Sequence, residues 1–187
     1  SNSTRGLWFA EGSGGSDDIE YVTIASTGNA TDFGNMTVSC ESAAALASST
    51  RALNGGGASF VDTIDYITIA NTGNVTDFGD LTAGRLNLAA ASSATRGLSA
   101  GGSGSLVIDY VTIASTGDAT DFGDLTVGRT RIDGTSSSTR GVFAGGYSSG
   151  VIDYVTIDTT GNATDFGDMT VNTQFTSATS AAHGGLQ

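Results

Sequence analysis

The triplet Asp-Phe-Gly occurs at four places along the chain. Its Phe is Phe33, Phe78, Phe122 and Phe166, inside the phrases TGNATDFG, TGNVTDFG, TGDATDFG and TGNATDFG. In protein kinases the Asp of this triplet holds Mg²⁺ beside a Gly-rich loop, a Lys and a catalytic Asp. This chain contains no Lys, and a catalytic site is needed once whereas a structural signature is needed in each repeat. The triplet therefore predicts a repeated structural element.

Acidic residues three apart flank the Phe in three of the four copies. The pairs are Asp77 with Asp80, Asp121 with Asp124, and Asp165 with Asp168, while the first copy has Asp32 with Asn35. Carboxylate oxygens are ligands that Ca²⁺ prefers. The alternative is that each Asp accepts backbone N–H bonds in its turn or pairs with a repeat Arg. We expect this structural role and no metal site, and Ca²⁺ is the cation that such acids would accept.

Residues able to carry other chemistry are isolated. His183 is the only histidine, and no Ser or Cys nucleophile is matched to it, so no triad is predicted. The Gly-rich stretches NGGGAS and AGGSGS lack the Lys of a phosphate-binding loop. Cys40 is the single cysteine, which excludes an intramolecular disulfide and favours a small buried side chain. The sequence therefore predicts no enzyme, no catalytic residue and no cofactor.

Composition narrows the class of protein. The chain has 187 residues, a net charge of -12, 28 Gly and only 7% aromatic residues. This charge would repel a phosphate backbone, so we expect no nucleic-acid partner. No apolar run reaches the 18 residues that would indicate a membrane span. The sequence starts without Met and inside a repeat, which we interpret as a processed or partly observed product.

Two markers define an internal repeat over the whole chain. Successive Phe residues of the triplet are 45, 44 and 44 residues apart, and the Arg of the STR or ATR turns recurs at spacings of 46, 45 and 44. These Arg residues are Arg5, Arg51, Arg96 and Arg140. The spacing predicts four repeats, approximately 5–50, 51–95, 96–139 and 140–183, within one domain of residues 1–187. For each turn Arg we expect a carboxylate partner from a neighbouring repeat rather than a bound anion.

Each repeat predicts four short antiparallel strands. In the last repeat they are VFAGG, IDYVTI after a variable loop, ATDFGDMTV after a Thr-Gly-Asn turn, and TQFTSATS. Gly and Asn suit the hairpin because they tolerate positive φ. In the third repeat Ile108 and Tyr110 point to one face and Val111 and Ile113 to the other. Apolar residues on both faces indicate a sheet covered on both sides, as in stacked blades.

The order Gly-Gly, loop, IDYVTI, turn, aromatic and then Arg (Arg85, Arg129) resembles the kelch repeat of β-propellers. The resemblance spans all four repeats, although Phe replaces the kelch Trp and Ala10-Glu11 replaces Gly-Gly in the first. It implies an all-β, four-bladed kelch-like propeller. The chain starts at the second strand of a blade, so the C-terminal segment TQFTSATS would supply the strand that the first blade lacks. That pairing would close the ring and remove both free sheet edges.

The loops between the second and third strands vary most among the repeats. They read GSGGSDD, ASFVDT, SGSLV and YSSGV, and all would emerge on the same side of a propeller. Variable loops on a rigid scaffold are common binding sites. The candidate ligand-binding residues are Asp17, Asp18, Phe60, Asp62 and Tyr147.

Five Asn-x-Ser/Thr sequons are possible glycosylation sites. They are Asn2, Asn29, Asn35, Asn74 and Asn162. Three of them occupy the same hairpin turn, where the third repeat has Asp118. Since Asp suits the turn but accepts no glycan, we expect the turn conformation to explain these Asn residues, and glycosylation stays open for a secreted source.

The phrases TRGVFAGG, VIDYVTI and TTGNATDFGDMT, with the ending SAAHGGLQ, are similar to repeats in virion structural proteins of tailed marine and cyanobacterial phages. The resemblance implies a tail-fibre-like protein on the virion surface that adheres to a host surface or glycan. The alternative is a secreted subunit of an extracellular filament or cell-surface protein, with its sequons open to glycosylation. Both functions imply self-assembly with other virion or filament subunits, without membrane insertion.

Overall fold

The computed structural model describes residues 4–9, 17–38, 41–174 and 176–179. Within these residues the regular structure is β-strand, apart from one 3₁₀ turn at Ala58–Phe60. No helix in this part of the chain is long and apolar enough to cross a membrane. The all-β class predicted from the repeats is confirmed.

Fifteen strands form four antiparallel sheets in chain order. Sheet 1 contains β1 (Arg5–Phe9), β2 (Asp18–Thr23) and β3 (Thr31–Asn35). Sheet 2 contains β4 (Ala44–Ala47), β5 (Arg51–Gly55), β6 (Thr63–Thr68) and β7 (Thr76–Asp80). Sheet 3 contains β8 (Ala89–Ser92), β9 (Arg96–Ala100), β10 (Val107–Thr112) and β11 (Thr120–Asp124). Sheet 4 contains β12 (Asp133–Ser136), β13 (Arg140–Ala144), β14 (Ser149–Thr156) and β15 (Thr164–Thr173).

The same irregularity occurs between the last two strands of every sheet. The pairing register shifts between Ile and the following acid, at Ile64/Asp65 in sheet 2 and at the equivalent positions of the other sheets. The Gly of the triplet lies opposite this Ile, as Gly79 lies opposite Ile64. A bulge bends and twists the strand locally, so the triplet Gly marks a bend in the outer strand of each sheet.

Hydrophobic clusters fill the spaces between successive sheets. Phe33 of sheet 1 packs with Ile67 and Ile69 of sheet 2. Sheets 2 and 3 meet in the same way through Phe78 and Ile113. Sheets 3 and 4 use the equivalent residues Phe122 and Ile157. The prediction that the sheets are covered on both faces is therefore confirmed for sheets 2 and 3.

The first strands of sheets 2, 3 and 4 lie side by side along one edge of the stack. The Ser92 hydroxyl on β8 donates to the Ala47 carbonyl on β4 at 3.1 Å, and the Ser136 hydroxyl on β12 donates to the Ser92 carbonyl at 2.8 Å. A Cβ on Gly134 would be 2.3 Å from the Ala90 carbonyl oxygen, so Gly allows this close approach. The stack is propeller-like, with an inner edge of short strands.

Sheet 1 has three strands, and its β1 pairs only with β2 among the described residues. The C-terminal segment predicted to complete this sheet is described only in part. Its residues 176–179 contact sheet 4, where the Ala178 N–H donates to the Asp133 carboxylate and Thr176 lies near Gly145. Phe175 and residues 180–187, including His183, lie outside the described residues, as do Ala10, Glu11 and Cys40.

Burial of the triplet Phe predicts a difference between two otherwise matched substitutions. Phe122 is buried between sheets, whereas Phe166 of sheet 4 is 54% exposed. Phe122→Ala should lower the free energy of unfolding by about 3–5 kcal/mol, because it leaves a cavity in the core. Phe166→Ala should change it by less than about 1 kcal/mol in the monomeric chain. Urea denaturation monitored by circular dichroism measures both, and equal losses would contradict the assignment of these two environments.

Candidate functional site

The most regular site in the molecule is the joint between one sheet and the next. At each joint the hairpin tip of the later sheet lies over the triplet of the earlier one. Backbone N–H groups of Gly73, Gly117 and Gly161 donate to the carbonyls of Phe33, Phe78 and Phe122 at 2.7, 2.7 and 2.8 Å. The triplet carbonyl is thus the acceptor for the following hairpin.

Glycine in the triplet permits this close contact. Gly34, Gly79 and Gly123 have φ of 145°, 141° and 145°, which side chains rarely adopt. A Cβ on Gly34 would be 2.3 Å from the Gly73 carbonyl oxygen, and one on Gly79 would be 2.5 Å from the Gly117 carbonyl carbon. In sheets 1, 2 and 3 the triplet Gly therefore allows the sheet to accept its neighbour's backbone.

The hairpin residue after this Gly makes a second bond across the joint. The side-chain oxygens of Asn74, Asp118 and Asn162 accept the backbone N–H of Asn35, Asp80 and Asp124 at 3.1, 3.2 and 3.1 Å. Asp118 serves as well as Asn because only an oxygen acceptor is required. The sequon Asn74 and Asn162 are thus used in packing, while Asn29 is exposed at the equivalent tip of sheet 1.

The remaining sequons differ in their surroundings. The Asn35 side-chain amide donates to the carboxylates of Asp17 and Asp18 at 3.0 and 3.2 Å. These two candidate ligand-binding acids therefore hold the end of β3. Asn2 lies outside the described residues.

The turn Arg residues reach the neighbouring sheet, but they find a backbone oxygen there. The guanidinium groups of Arg5, Arg51 and Arg96 donate to the carbonyls of Ile69, Ile113 and Ile157 at 2.7, 3.0 and 2.9 Å. Each also lies over the Tyr ring of its own sheet, at 4.5–4.6 Å from the ring centroid. The expected carboxylate partner was wrong for Arg51 and Arg96, because a Tyr face and a carbonyl satisfy the cation.

Carboxylate partners belong instead to the second Arg of the kelch-like order. Arg85 of sheet 2 pairs with Asp109 of sheet 3, and Arg129 of sheet 3 pairs with Asp153 of sheet 4. All four side chains are buried. Burial lowers the pKa of both guanidinium groups, and the paired carboxylate opposes that shift. These acids sit inside IDYVTI, where the alternation of apolar residues gave no signal of a buried ion pair.

Asp65 occupies the same position at the joint between sheets 1 and 2 without an Arg among the described residues. Its Oδ2 accepts hydrogen bonds from the Thr37 backbone N–H and hydroxyl at 3.2 and 2.7 Å. Its Oδ1 is buried and has no hydrogen-bond partner. Burial raises the pKa of the Asp65 carboxyl, the Thr37 bonds oppose the shift, and the charge of Asp77 adds to it.

The two ends of the stack leave half a joint unfilled. We call the free surface of sheet 4 the tail face and that of sheet 1 the head face. The tail face comprises Arg140, Phe166, Gly167, Asp168 and Thr170. The head face comprises Trp8, Glu20, Ile24, Gly28 and Asn29. Phe166 and Ile24 are 54% and 58% exposed, whereas their counterparts in the three internal joints are buried.

The predicted recognition loops differ from these joints in that their aromatic side chains are exposed. Phe60 and Tyr147 are each 61% exposed. The Phe60 carbonyl lies so close to Gly84 that a Cβ there would be 1.7 Å away, so the loop backbone is held while the ring is free. Tyr147 donates its backbone N–H to the Thr130 carbonyl at 2.9 Å.

Charged residues lie next to both aromatic residues, Arg131 near Tyr147 and Asp62 beside Phe60. The Arg131 guanidinium lies 5.7 Å from the Tyr147 ring centroid. Asp62 is exposed beside Phe60, and its carbonyl accepts the Leu81 N–H at 2.7 Å. Phe60 and Tyr147 belong to sheets 2 and 4, with sheet 3 between them in the stack.

The acids near the triplets form a surface of like charge. Desolvation raises the pKa of the Asp80 carboxyl, and the nearby charges of Asp62, Asp118 and Asp77 raise it further. In the described part of the chain, no three His, Cys, Asp or Glu side chains are grouped so as to hold a metal ion. The backbone N–H of Asp80 and Asp124 bond to the neighbouring hairpin, so part of this surface belongs to the joints.

No protein-family model matches the chain, and no curated protein is significantly similar to it.

The ion-pair geometry predicts opposite effects for two equivalent Asp residues. Asp109→Asn should lower the free energy of unfolding by about 3–5 kcal/mol, because it leaves the buried Arg85 cation unpaired. Asp65→Asn should preserve or raise it at pH 7, because the charge that it removes is buried without a cation partner. Chemical denaturation of both variants tests this contrast, and a comparable loss in both would contradict it.

The pH dependence provides a separate prediction for Asp65. Because its folded pKa is raised, the folded state holds the proton more tightly than the unfolded chain. Its contribution to stability should therefore fall as pH rises from about 3.9, the ordinary Asp value, through the higher folded pKa. The difference in stability between Asp65→Asn and the unmodified chain should grow over this pH range. A constant difference in denaturation midpoints across the range would refute the assigned shift.

Proposed function

We propose that this chain is a non-enzymatic structural and adhesion module, a tail-fibre-like protein of a phage virion surface that binds a host surface or glycan. The observation that carries the proposal is that the recurring motifs and the variable loops have different structural roles. Recurring motifs hold successive sheets together, as Gly73 holds Phe33. The loops that vary between repeats present exposed aromatic rings at Phe60 and Tyr147. A rigid scaffold with variable exposed loops suits recognition.

Glycans are the ligand class that this loop chemistry suits best. Aromatic rings offer apolar faces to the C–H groups of a sugar, and neighbouring carboxylates can accept its hydroxyl protons. Phe60 has Asp62 beside it, and Tyr147 has Arg131 behind its ring. The net charge of -12 disfavours a polyanionic ligand and favours a neutral sugar.

The finer architecture is part of the same proposal. The sheets are the blades of a kelch-like β-propeller. The propeller is completed by a joint between sheet 4 of one chain and sheet 1 of another. The side-by-side strands β4, β8 and β12 support this arrangement. The contact of residues 176–179 with sheet 4 also supports it. Ala178, which donates to the Asp133 carboxylate, lies 45 residues after Asp133, about one repeat further along the chain. The exposure of Phe166 argues against closure by the chain's own first sheet.

A secreted subunit of an extracellular filament is the second candidate function. It is favoured by the two unfilled half-joints at opposite ends of the stack, which suit end-to-end growth. The sequon Asn29 at the exposed tip of sheet 1 is also compatible with a secreted source. Imaging of the native particle, with this chain located by antibody label, separates a virion from a filament.

Loop substitutions test the adhesive function directly. Phe60→Ala and Tyr147→Ala should each weaken binding to a glycan identified on an array by about fivefold, because each removes one stacking ring worth about 1 kcal/mol. Isothermal titration calorimetry measures the affinity per chain. Phe166→Ala is the matched control, since it removes an exposed aromatic outside the loops and should leave that affinity unchanged. Unaltered binding by both loop variants would refute recognition through these rings.

A further inference from the structure

We propose that the tail face of one chain docks on the head face of a second copy, forming the same joint that already joins sheets 1 to 4. The inference deepens the proposed structural role and rests on it. It names the partner, a second copy of this chain, and the two surfaces that meet. Its basis is the comparison of three filled joints with one pair of empty halves in a single structure.

Apolar burial is the first element of the match. Each internal joint buries one triplet Phe from the earlier sheet against one Ile from the later sheet, as Phe122 meets Ile157. Phe166 is the remaining triplet Phe and Ile24 is the remaining Ile of this kind. Both are more than half exposed. Docking would bury them together and remove the largest deviation from the repeat pattern.

Backbone hydrogen bonding is the second element. Each internal joint has two backbone hydrogen bonds. The N–H of the hairpin Gly donates to the triplet Phe carbonyl, as Gly161 does to Phe122 at 2.8 Å. The N–H two residues further on donates to the carbonyl of the residue after the triplet, as Ala163 does to Asp124 at 2.7 Å. On the head face the equivalent donors are Gly28 and Ala30. On the tail face the equivalent acceptors are the carbonyls of Phe166 and Asp168. The proposed joint pairs these groups without any new type of contact.

Side-chain groups complete the match. Arg140 is the one turn Arg in the described residues without a carbonyl acceptor, although its guanidinium lies 4.3 Å from the Tyr154 ring centroid. The equivalent acceptor on a docked copy is the Ile24 carbonyl. Asn29 offers its side-chain oxygen to the Asp168 N–H, as Asn162 does to Asp124. In an internal joint the Thr126 hydroxyl donates to Asp153 Oδ1 at 2.5 Å. In the docked pair, Thr170 of one copy would face Glu20 of the other in the same way.

Steric room also distinguishes the free halves from the filled joints. A Cβ on Gly34, Gly79 or Gly123 would collide with the next hairpin, whereas one on Gly167 would meet no atom within 4 Å. Gly28 on the head face is open too, but so are its counterparts Gly73, Gly117 and Gly161 in the filled joints, so the steric difference lies on the tail face. Because Phe166 and Ile24 are both more than half exposed in the same structure, sheet 1 does not cover the tail face, and the repeat match makes a second copy the occupant that we infer. The union is head to tail, so it can continue as a chain of copies or close as a ring.

The C-terminal segment fits this arrangement. Residues 176–179 lie on sheet 4 beside Asp133, at the position that the inner strand of a following sheet would take. Among the described residues, sheet 1 has three strands, and its strand β1 is paired with β2. A docked copy would therefore bring its incomplete sheet next to the strand that could complete it.

Sedimentation velocity over a range of concentrations tests the proposal with the full chain and two variants. The unmodified chain should form concentration-dependent oligomers, strengthened by salt because the copies share a charge of -12. Phe166→Asp and Ile24→Asp should each weaken this association by about 100-fold or more, because each desolvates a new charge in an apolar contact. Val127→Asp is the control, since Val127 is an exposed apolar residue away from both faces (46% exposed), and this variant should associate normally. Circular dichroism confirms that each variant is folded.

Mixing the two variants gives the decisive result. Phe166→Asp retains a functional head face, and Ile24→Asp retains a functional tail face. An equimolar mixture should therefore form dimers and nothing larger, whereas each variant alone stays monomeric. A symmetric interface would give no such rescue and would overturn the proposal. So would an unmodified chain that stays monomeric at every concentration, whether through internal closure or through open ends.

The loop variants keep the two proposals separate. Phe60→Ala and Tyr147→Ala should assemble as the unmodified chain does, because neither residue belongs to the head or tail face. Loss of glycan binding with intact assembly would leave the joint standing, and failure of assembly with intact glycan binding would leave the adhesive function standing.

Discussion

The contact between a triplet and the following hairpin determines the rest of this structure. A backbone N–H on the hairpin finds the Phe carbonyl, and the Phe ring covers an apolar patch on the next sheet. Both parts require the hairpin backbone to pass where a side chain on Gly34 or Gly79 would stand. Three of the four copies of a phrase that resembles a metal-binding triplet therefore have a steric and hydrogen-bonding role in this structure.

Because packing is concentrated at these joints, the loops need little sequence in common. The loop of sheet 2 makes a 3₁₀ turn at Ala58–Phe60, whereas those of sheets 3 and 4 do not. Conformations with positive φ recur there at Phe60, Ser103 and Ser148. The backbones of these three loops are tied to the neighbouring connections, so their exposed side chains can change without loss of the joint.

Much of the fold followed from the sequence because its signals are local. Periodic spacing located the strands, and apolar residues on both faces of IDYVTI indicated stacked sheets. The partners of Arg51 and Arg85 could not be assigned in the same way, since both are Arg in turns or connections and only the neighbouring sheet decides between a carbonyl and a carboxylate. Burial of Asp109 was missed for the same reason. The exposure of the Phe166 ring could not be predicted either, because the phrase TGNATDFG surrounds both Phe166 and the buried Phe33.

A stack of this kind gains stability from nearest-neighbour joints, so sheets 1 and 4, each with one neighbouring sheet among the described residues, are its least stabilised parts. Terminal repeats usually carry polar substitutions that make an end soluble. Here the terminal sheets keep the joint residues: Phe166 and Arg140 at one end, Ile24 and Asn29 at the other. The charge of -12 opposes association through long-range repulsion, yet no charged residue replaces the apolar contact itself. Repulsion that salt can screen, combined with an unchanged apolar joint, makes end-to-end contact dependent on solution conditions rather than forbidden by sequence.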